Sequence, residues 1–134
     1  MVRNRRWSVG FSVLVALAGL YAIGCSKSPG ALRNIAFTYE SDPKSPRAGL
    51  NTFTVTLTRA SGQPLAGAHV SLEADMSHAG MAPVFAEARE LAPGRYQGTI
   101  DLNMRGDWVV LFHIKLSSGE TFDRQVELRN LQAT

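Results

Sequence analysis

The stretch LNTFTVTLT, residues 50–58, alternates apolar side chains with threonine hydroxyls. Its central apolar members are Phe53, Val55 and Leu57. A period of two places successive side chains on opposite faces of an extended chain, and β-branched threonine favours that conformation. The stretch therefore predicts a β-strand with one face in a core and the other in water.

The same period recurs along most of the chain. Four further stretches alternate in this way: Ala68–Asp75, Arg95–Leu102, Asp107–Leu116 and Glu120–Arg129, the last interrupted by Arg124. An opening strand at Ile35–Tyr39 and an ambiguous one at Val84–Leu91 bring the number to about seven. Turns rich in Gly, Pro and Ser separate them, and no stretch after the first 24 residues has sustained helical spacing. The pattern predicts an all-β fold, an immunoglobulin-like antiparallel β-sandwich of about seven strands.

The N-terminus is typical of an export signal. Arg3, Arg5 and Arg6 precede an apolar run from Trp7 to Ile23, and Cys25 follows that run. Residues 22–25 resemble the lipobox of bacterial lipoproteins, in which the cysteine is lipidated. The alternative is an uncleaved membrane anchor, because a span needs about 20 apolar residues. We expect a signal or anchor over 1–24, a tether over 25–31 and one domain over 32–130. That domain would be membrane-anchored on the extracytoplasmic, periplasmic side of a bacterial envelope.

Charge and composition exclude two classes of function. The chain has 14 Lys and Arg against 11 Asp and Glu, but three of the arginines lie before Cys25, which leaves 11 of each sign. No basic cluster remains, so we expect no nucleic-acid partner. The three histidines are scattered, and no Ser or Cys nucleophile has a base at a recognisable spacing, so we expect no enzyme.

The most distinctive chemical motif follows the third strand, where Met76, His78 and Met81 flank a flexible Gly80. Thioether sulfur is a soft ligand and imidazole a borderline one, so the set suits Cu(I) better than other common metals. Zinc prefers thiolates or several histidines, and calcium and magnesium prefer carboxylates. The alternative is that these methionines pack in the core.

Simple up-and-down topology places the loops 41–49, 76–82 and 103–106 at one end of the sandwich. Met104 would then approach the Met/His loop as a fourth ligand, although it could instead pack beneath Trp108. His69 and His113 lie too far along their strands to join the site. For both we expect an exposed or locally paired imidazole.

The order of several motifs resembles the YtkA-like/FixH-like domain family over residues 35–128. The resemblance is carried by these runs: Arg47–Val55, Gly62–Val70, Met76–Met81, Gly94–Tyr96 and Met104–Trp108. It implies an envelope-exposed β-sandwich, found alone, as a lipoprotein, or attached to metal-efflux and copper-oxidase assembly proteins. It further implies a role in copper or other cation handling, with the family's Met/His loop at Met76, His78 and Met81. Ser77 stands where that loop often has proline.

A metal-free function is the competing hypothesis. In that case the domain is an interaction module whose loop end docks on a membrane or efflux protein partner. Exposed Met76, Met81 and Phe85 would provide adaptable apolar contacts.

Overall fold

The computed structural model describes residues 31–78 and 80–133. A short 3₁₀ helix, Ala31–Asn34, leads into seven strands. Their bounds are β1 Ile35–Asp42, β2 Gly49–Arg59, β3 His69–Met76, β4 Val84–Ala92, β5 Arg95–Leu102, β6 Gly106–Lys115 and β7 Thr121–Leu131. Each strand predicted from the alternation is present, with its ends within three residues of the prediction. Within this part of the chain no helix is long and apolar enough to cross a membrane.

The seven strands pair only with antiparallel neighbours and form two layers joined through β4. One layer has the order β1-β2-β5-β4, and the other continues as β4-β3-β6-β7. The first half of β4 pairs with β3 and the second half with β5, with a register shift between Glu90 and Ala92. This is the strand order of a constant-type immunoglobulin sandwich with its fourth strand shared. The predicted fold class is confirmed.

The core lies between the two layers and is built by the inward half of each alternating pattern. Phe53 on β2 and Phe112 on β6 are fully buried, and their rings meet edge to face with centroids 5.8 Å apart. The layers approach closely at Gly98, where a Cβ atom would lie 2.8 Å from Cδ1 of Leu72. A larger residue at position 98 would therefore force the Leu72 side chain to shift.

Side-chain hydrogen bonds fix the end of the sandwich that holds the β2–β3 and β4–β5 connections. The buried Tyr96 hydroxyl donates to the Leu65 carbonyl at 2.6 Å and accepts from Ala68 N–H at 2.9 Å. The Glu90 carboxylate accepts from the N–H groups of Gly94 and Gly67. The Gly94 hydrogen bond lowers the pKa of Glu90, whereas burial raises the pKa of Tyr96.

The other end carries the connections 43–48, 77–83 and 103–105, and we call it the loop end. Strand pairing establishes this grouping, because Gly49 pairs with Leu102 and Met76 pairs with Trp108. The chain enters β1 at Ile35, which pairs with Arg59 at the opposite end. The N-terminal side of the domain and the loop end are thus separated by the full height of the sandwich.

Candidate functional site

A cleft of about 400 Å³ opens at the loop end between the 77–83 and 103–105 connections. It brings together all four residues that the sequence predicts as metal ligands. The lining consists of Met76, Ser77, His78, Met81, Met104, Arg105, Gly106 and Asp107. Met104 therefore lies beside the Met/His loop, as the up-and-down topology predicts.

Met76 forms the floor of this cleft. It lies on the inward face of β3 opposite Trp108, is half-buried and packs against the core. Gly106 has φ +123°, and a Cβ atom there would lie 2.9 Å from the Met76 Cε atom. The missing side chain at Gly106 thus makes room for the thioether. The metal-free hypothesis predicts an exposed Met76, and that prediction is wrong. The inward alternation of β3 continues through this residue.

The other three candidate ligands are accessible. His78 is exposed, and Met81 and Met104 keep 39% and 44% of their surface in solvent. The indole Nε1–H of Trp108 donates to the Met104 carbonyl at 3.0 Å, so this hydrogen bond ties the Met104 backbone to the core. With 44% of its surface exposed, Met104 is not one of the buried core residues. Three exposed neutral donors above one half-buried thioether provide a soft ligand set.

The cleft also contains two charged residues besides the four predicted ligands. Asp107 accepts the Asn130 N–H on its Oδ1 atom at 2.7 Å, and its carbonyl accepts the Ser77 N–H at 2.9 Å. Arg105 is exposed and forms no ion pair within residues 31–78 and 80–133. Its place in the tight turn after Met104 is the only sequence signal that could have indicated it.

A buried amide supports the neighbouring connection. Asn51 faces inward on β2 and is fully buried, yet its side chain is satisfied locally. Its Nδ2 donates to the carbonyls of Arg47 at 2.7 Å and Gly49 at 2.8 Å, and its Oδ1 accepts the Arg47 N–H at 3.1 Å. These side-chain hydrogen bonds fix the 43–48 connection, where a β-strand would instead have backbone hydrogen bonds to a neighbouring strand.

Neither of the remaining described histidines reaches the cleft, as expected. His69 is exposed and contacts Glu87 at 3.1 Å. His113, on the outer face of β6, contacts Asp123 through Nδ1 at 2.9 Å and Glu73 through Nε2 at 2.7 Å. Both ring nitrogens can donate at once only in the imidazolium form. Both histidines are locally paired, and that prediction is confirmed.

The His113 contacts predict a pH-dependent stability. The hydrogen bond to Asp123, followed by that to Glu73, raises the pKa of His113 above its ordinary value of 6.5. Because this pKa is higher in the folded protein than in the unfolded chain, the protonated imidazole stabilises the fold. The stabilisation is complete at a pH below the pKa of the unfolded chain, and it is lost as the pH rises through the pKa of the folded protein. We expect the free energy of unfolding, from urea titrations, to fall as the pH rises above about 6.5. Asp123→Asn should reduce this dependence of the unfolding free energy on pH. The same pH dependence in that variant would show that the His113 contacts do not cause it.

The described residues offer no rival site with soft donors. A larger cleft of about 580 Å³ is lined by Tyr39, Glu40, Ser41, Lys44, Pro46 and Leu128, none of which has sulfur or imidazole. Nor do three or more His, Cys, Asp or Glu side chains in residues 31–78 and 80–133 form a group that could hold a metal ion.

The fold and the cleft define a small immunoglobulin-like domain that gathers three methionines and a histidine at one end. A family model described as YtkA-like matches residues 32–113, more than half of the chain. This chain belongs to the YtkA-like family. Murine CRIg is a similar solved structure, with a TM-score of 0.42 and 12% identity, covering 74% of this chain and 99% of that one. No curated protein matches significantly.

Proposed function

We propose that this protein binds Cu(I) through Met76, His78, Met81 and Met104. In this proposal it is a membrane-tethered, envelope-exposed protein that acts in metal handling or copper-oxidase assembly, with copper or another cation as its cargo. The observation that carries the proposal is the convergence of these four side chains in one cleft. They come from the end of β3 and from two different connections, so sequence proximity alone does not account for it.

The chemistry of the donors favours the reduced ion. Thioether and imidazole ligands are neutral, and thioethers select soft Cu(I) over divalent zinc, calcium or magnesium. The cleft adds one carboxylate, Asp107, which already accepts a backbone N–H. A hard cation would find few oxygen ligands there.

Anaerobic Cu(I) titration of residues 26–134 against a colorimetric competitor tests the ligand set. His78→Ala and Met76→Leu should each weaken binding at least tenfold, about 1.4 kcal/mol. Leucine nearly preserves the volume of Met76, so its packing on the core should survive. His69→Ala and His113→Ala are matched controls that should leave affinity unchanged. Equal losses at all four positions would indicate non-specific binding.

A metal-free interaction module is the second candidate. It is favoured by the exposure of large apolar side chains in the cleft itself, with Met81 at 39% and Met104 at 44%. Such residues mark interaction surfaces when they form a patch. In that case the loop end would dock on a membrane or efflux protein partner, and Cu(I) would change neither affinity nor stability.

The membrane tether forms a separate part of the proposal. Cys25 and residues 1–24 lie outside the described residues, so the lipidation site stays a prediction from the sequence. Cys25→Ser should abolish the incorporation of a fatty-acid probe in metabolic labelling, because the lipid attaches to the cysteine. A mutant that remains membrane-bound with an unchanged N-terminus would instead indicate a transmembrane anchor.

A further inference from the structure

All the methionines that follow Met1 line the cleft at the loop end. The sequence has four methionines, and the other three are Met76, Met81 and Met104. Its single cysteine, Cys25, precedes the domain. Cysteine thiols and methionine thioethers are the side chains that mild oxidants modify. The sulfur chemistry of this domain is therefore confined to one end of the sandwich.

The three thioethers differ in their access to solvent. Met81 and Met104 lie on the connections and keep 39% and 44% of their surface in solvent. Met76 is half-buried at the end of β3 and packs against the core. Its Cε atom lies so close to Gly106 that a Cβ atom there would come within 2.9 Å of it. An oxygen added to the Met76 sulfur would thus find little room on that side, whereas Met81 and Met104 can accept one in open solvent.

Oxidation changes the kind of ligand that a methionine offers. Thioether sulfur is a soft donor and suits Cu(I), whereas the sulfoxide group presents an oxygen, which suits harder cations. It also turns a flexible apolar side chain into a polar one. If Met81 and Met104 became sulfoxides, Met76 and His78 would be the only soft or borderline ligands left in the predicted set. The oxidised cleft should therefore hold Cu(I) much less tightly.

We propose that Met81 and Met104 are the oxidation sites of this domain, and that their conversion to methionine sulfoxide by hydrogen peroxide switches off Cu(I) binding by the metal-free cleft. This inference rests on the proposed Cu(I) function of the same cleft. Met76 is the protected ligand, which stays a thioether under conditions that oxidise the other two.

Each oxidation transfers one oxygen atom and two electrons. The thioether sulfur attacks one peroxide oxygen, so that an S–O bond forms and the O–O bond breaks. The proton of the transferred oxygen passes to the second oxygen, which leaves as water. A thiol-dependent methionine sulfoxide reductase reverses the change, because two thiols supply two electrons and two protons, become a disulfide and release the oxygen as water.

Site-resolved oxidation of the metal-free full chain in detergent tests the choice of sites. Cys25→Ser removes the only thiol from the protein used here. After timed exposure to hydrogen peroxide, peptide mass spectrometry should show Met81 and Met104 oxidised at least about threefold faster than Met76, because susceptibility follows exposure. In concentrated urea the three rates should become equal. Equal rates in the folded protein would overturn the assignment.

Anaerobic Cu(I) titration of the same protein tests the consequence. Once catalase has removed the peroxide, the protein oxidised at Met81 and Met104 should bind Cu(I) at least about tenfold more weakly than the untreated protein. Treatment with the two sulfoxide reductases, one for each sulfoxide epimer, should restore the affinity. An unchanged affinity after oxidation would overturn the inference, and so would a loss that the reductases do not repair.

Thermal denaturation separates a change of ligands from damage to the fold. Both sites are exposed, so the melting temperature of the oxidised, metal-free protein should change by no more than about 4 °C. A larger fall would mean that weaker binding reflects lost structure, and it would overturn the inference. An untreated chain that binds no Cu(I) would overturn the proposed function. The oxidation rates, which are measured without metal, would still test the two sites.

Discussion

Trp108→Ala should lower the free energy of unfolding by about 3–5 kcal/mol. Trp108 is the largest fully buried side chain and is 1% exposed. Its removal opens a cavity beneath the loop end and removes the indole hydrogen bond to the Met104 carbonyl. The chain has one cysteine and can form no internal disulfide, so its fold depends on burial. With about 4–8 °C per kcal/mol for a domain of this size, the melting temperature should fall by more than about 10 °C.

Two variants separate this packing effect from a general loss of aromatic surface. Trp108→Phe keeps much of the buried aromatic surface but loses the indole hydrogen-bond donor. It should therefore lower the free energy of unfolding by less than Trp108→Ala does. Phe85→Ala removes an aromatic side chain that is 67% exposed and should cost no more than about 0.5 kcal/mol. Urea denaturation gives all three values. If Trp108→Ala lowers the free energy of unfolding by less than about 1 kcal/mol, the core must fill the cavity left by the indole.

The alternating pattern was sufficient to predict the fold because burial and strand geometry share a period of two. The inward residues of β2, Phe53, Val55 and Leu57, are all at most 1% exposed. Strand β4 was ambiguous for a physical reason, since it leaves one layer and joins the other. Its residues are exposed or half-buried throughout, so no single face of it carries a continuous apolar signal.

The site was less predictable, because it depends on which loops meet and on how deep each side chain lies. Topology alone placed Met104 beside the Met/His loop. The depth of Met76 could not be predicted, because it depends on the missing side chain at Gly106 across the sheet. Arg105 lies in a turn, outside the alternating strand pattern, so the sequence could not predict its place in the cleft. Only its position in the structure distinguishes it from other surface arginines.

Cu(I) should raise the melting temperature of the wild-type protein if the cleft closes on the metal only in the folded state. Linkage gives about 2.7 kcal/mol when free metal is 100-fold above its dissociation constant. At about 4–8 °C per kcal/mol the shift should exceed about 10 °C. Anaerobic thermal denaturation with a buffered Cu(I) concentration measures it.

The combined variant Met76→Leu, His78→Ala and Met81→Leu should lose this shift while melting near the wild-type temperature without metal. His78 and Met81 are exposed, and leucine at position 76 keeps the half-buried volume over Gly106. Trp108→Ala should behave in the opposite way, with a lower melting temperature whether or not copper is present. If the combined variant melts early without metal and wild type ignores copper, the methionines serve as packing. The metal-free interaction module would then be the better account of the loop end.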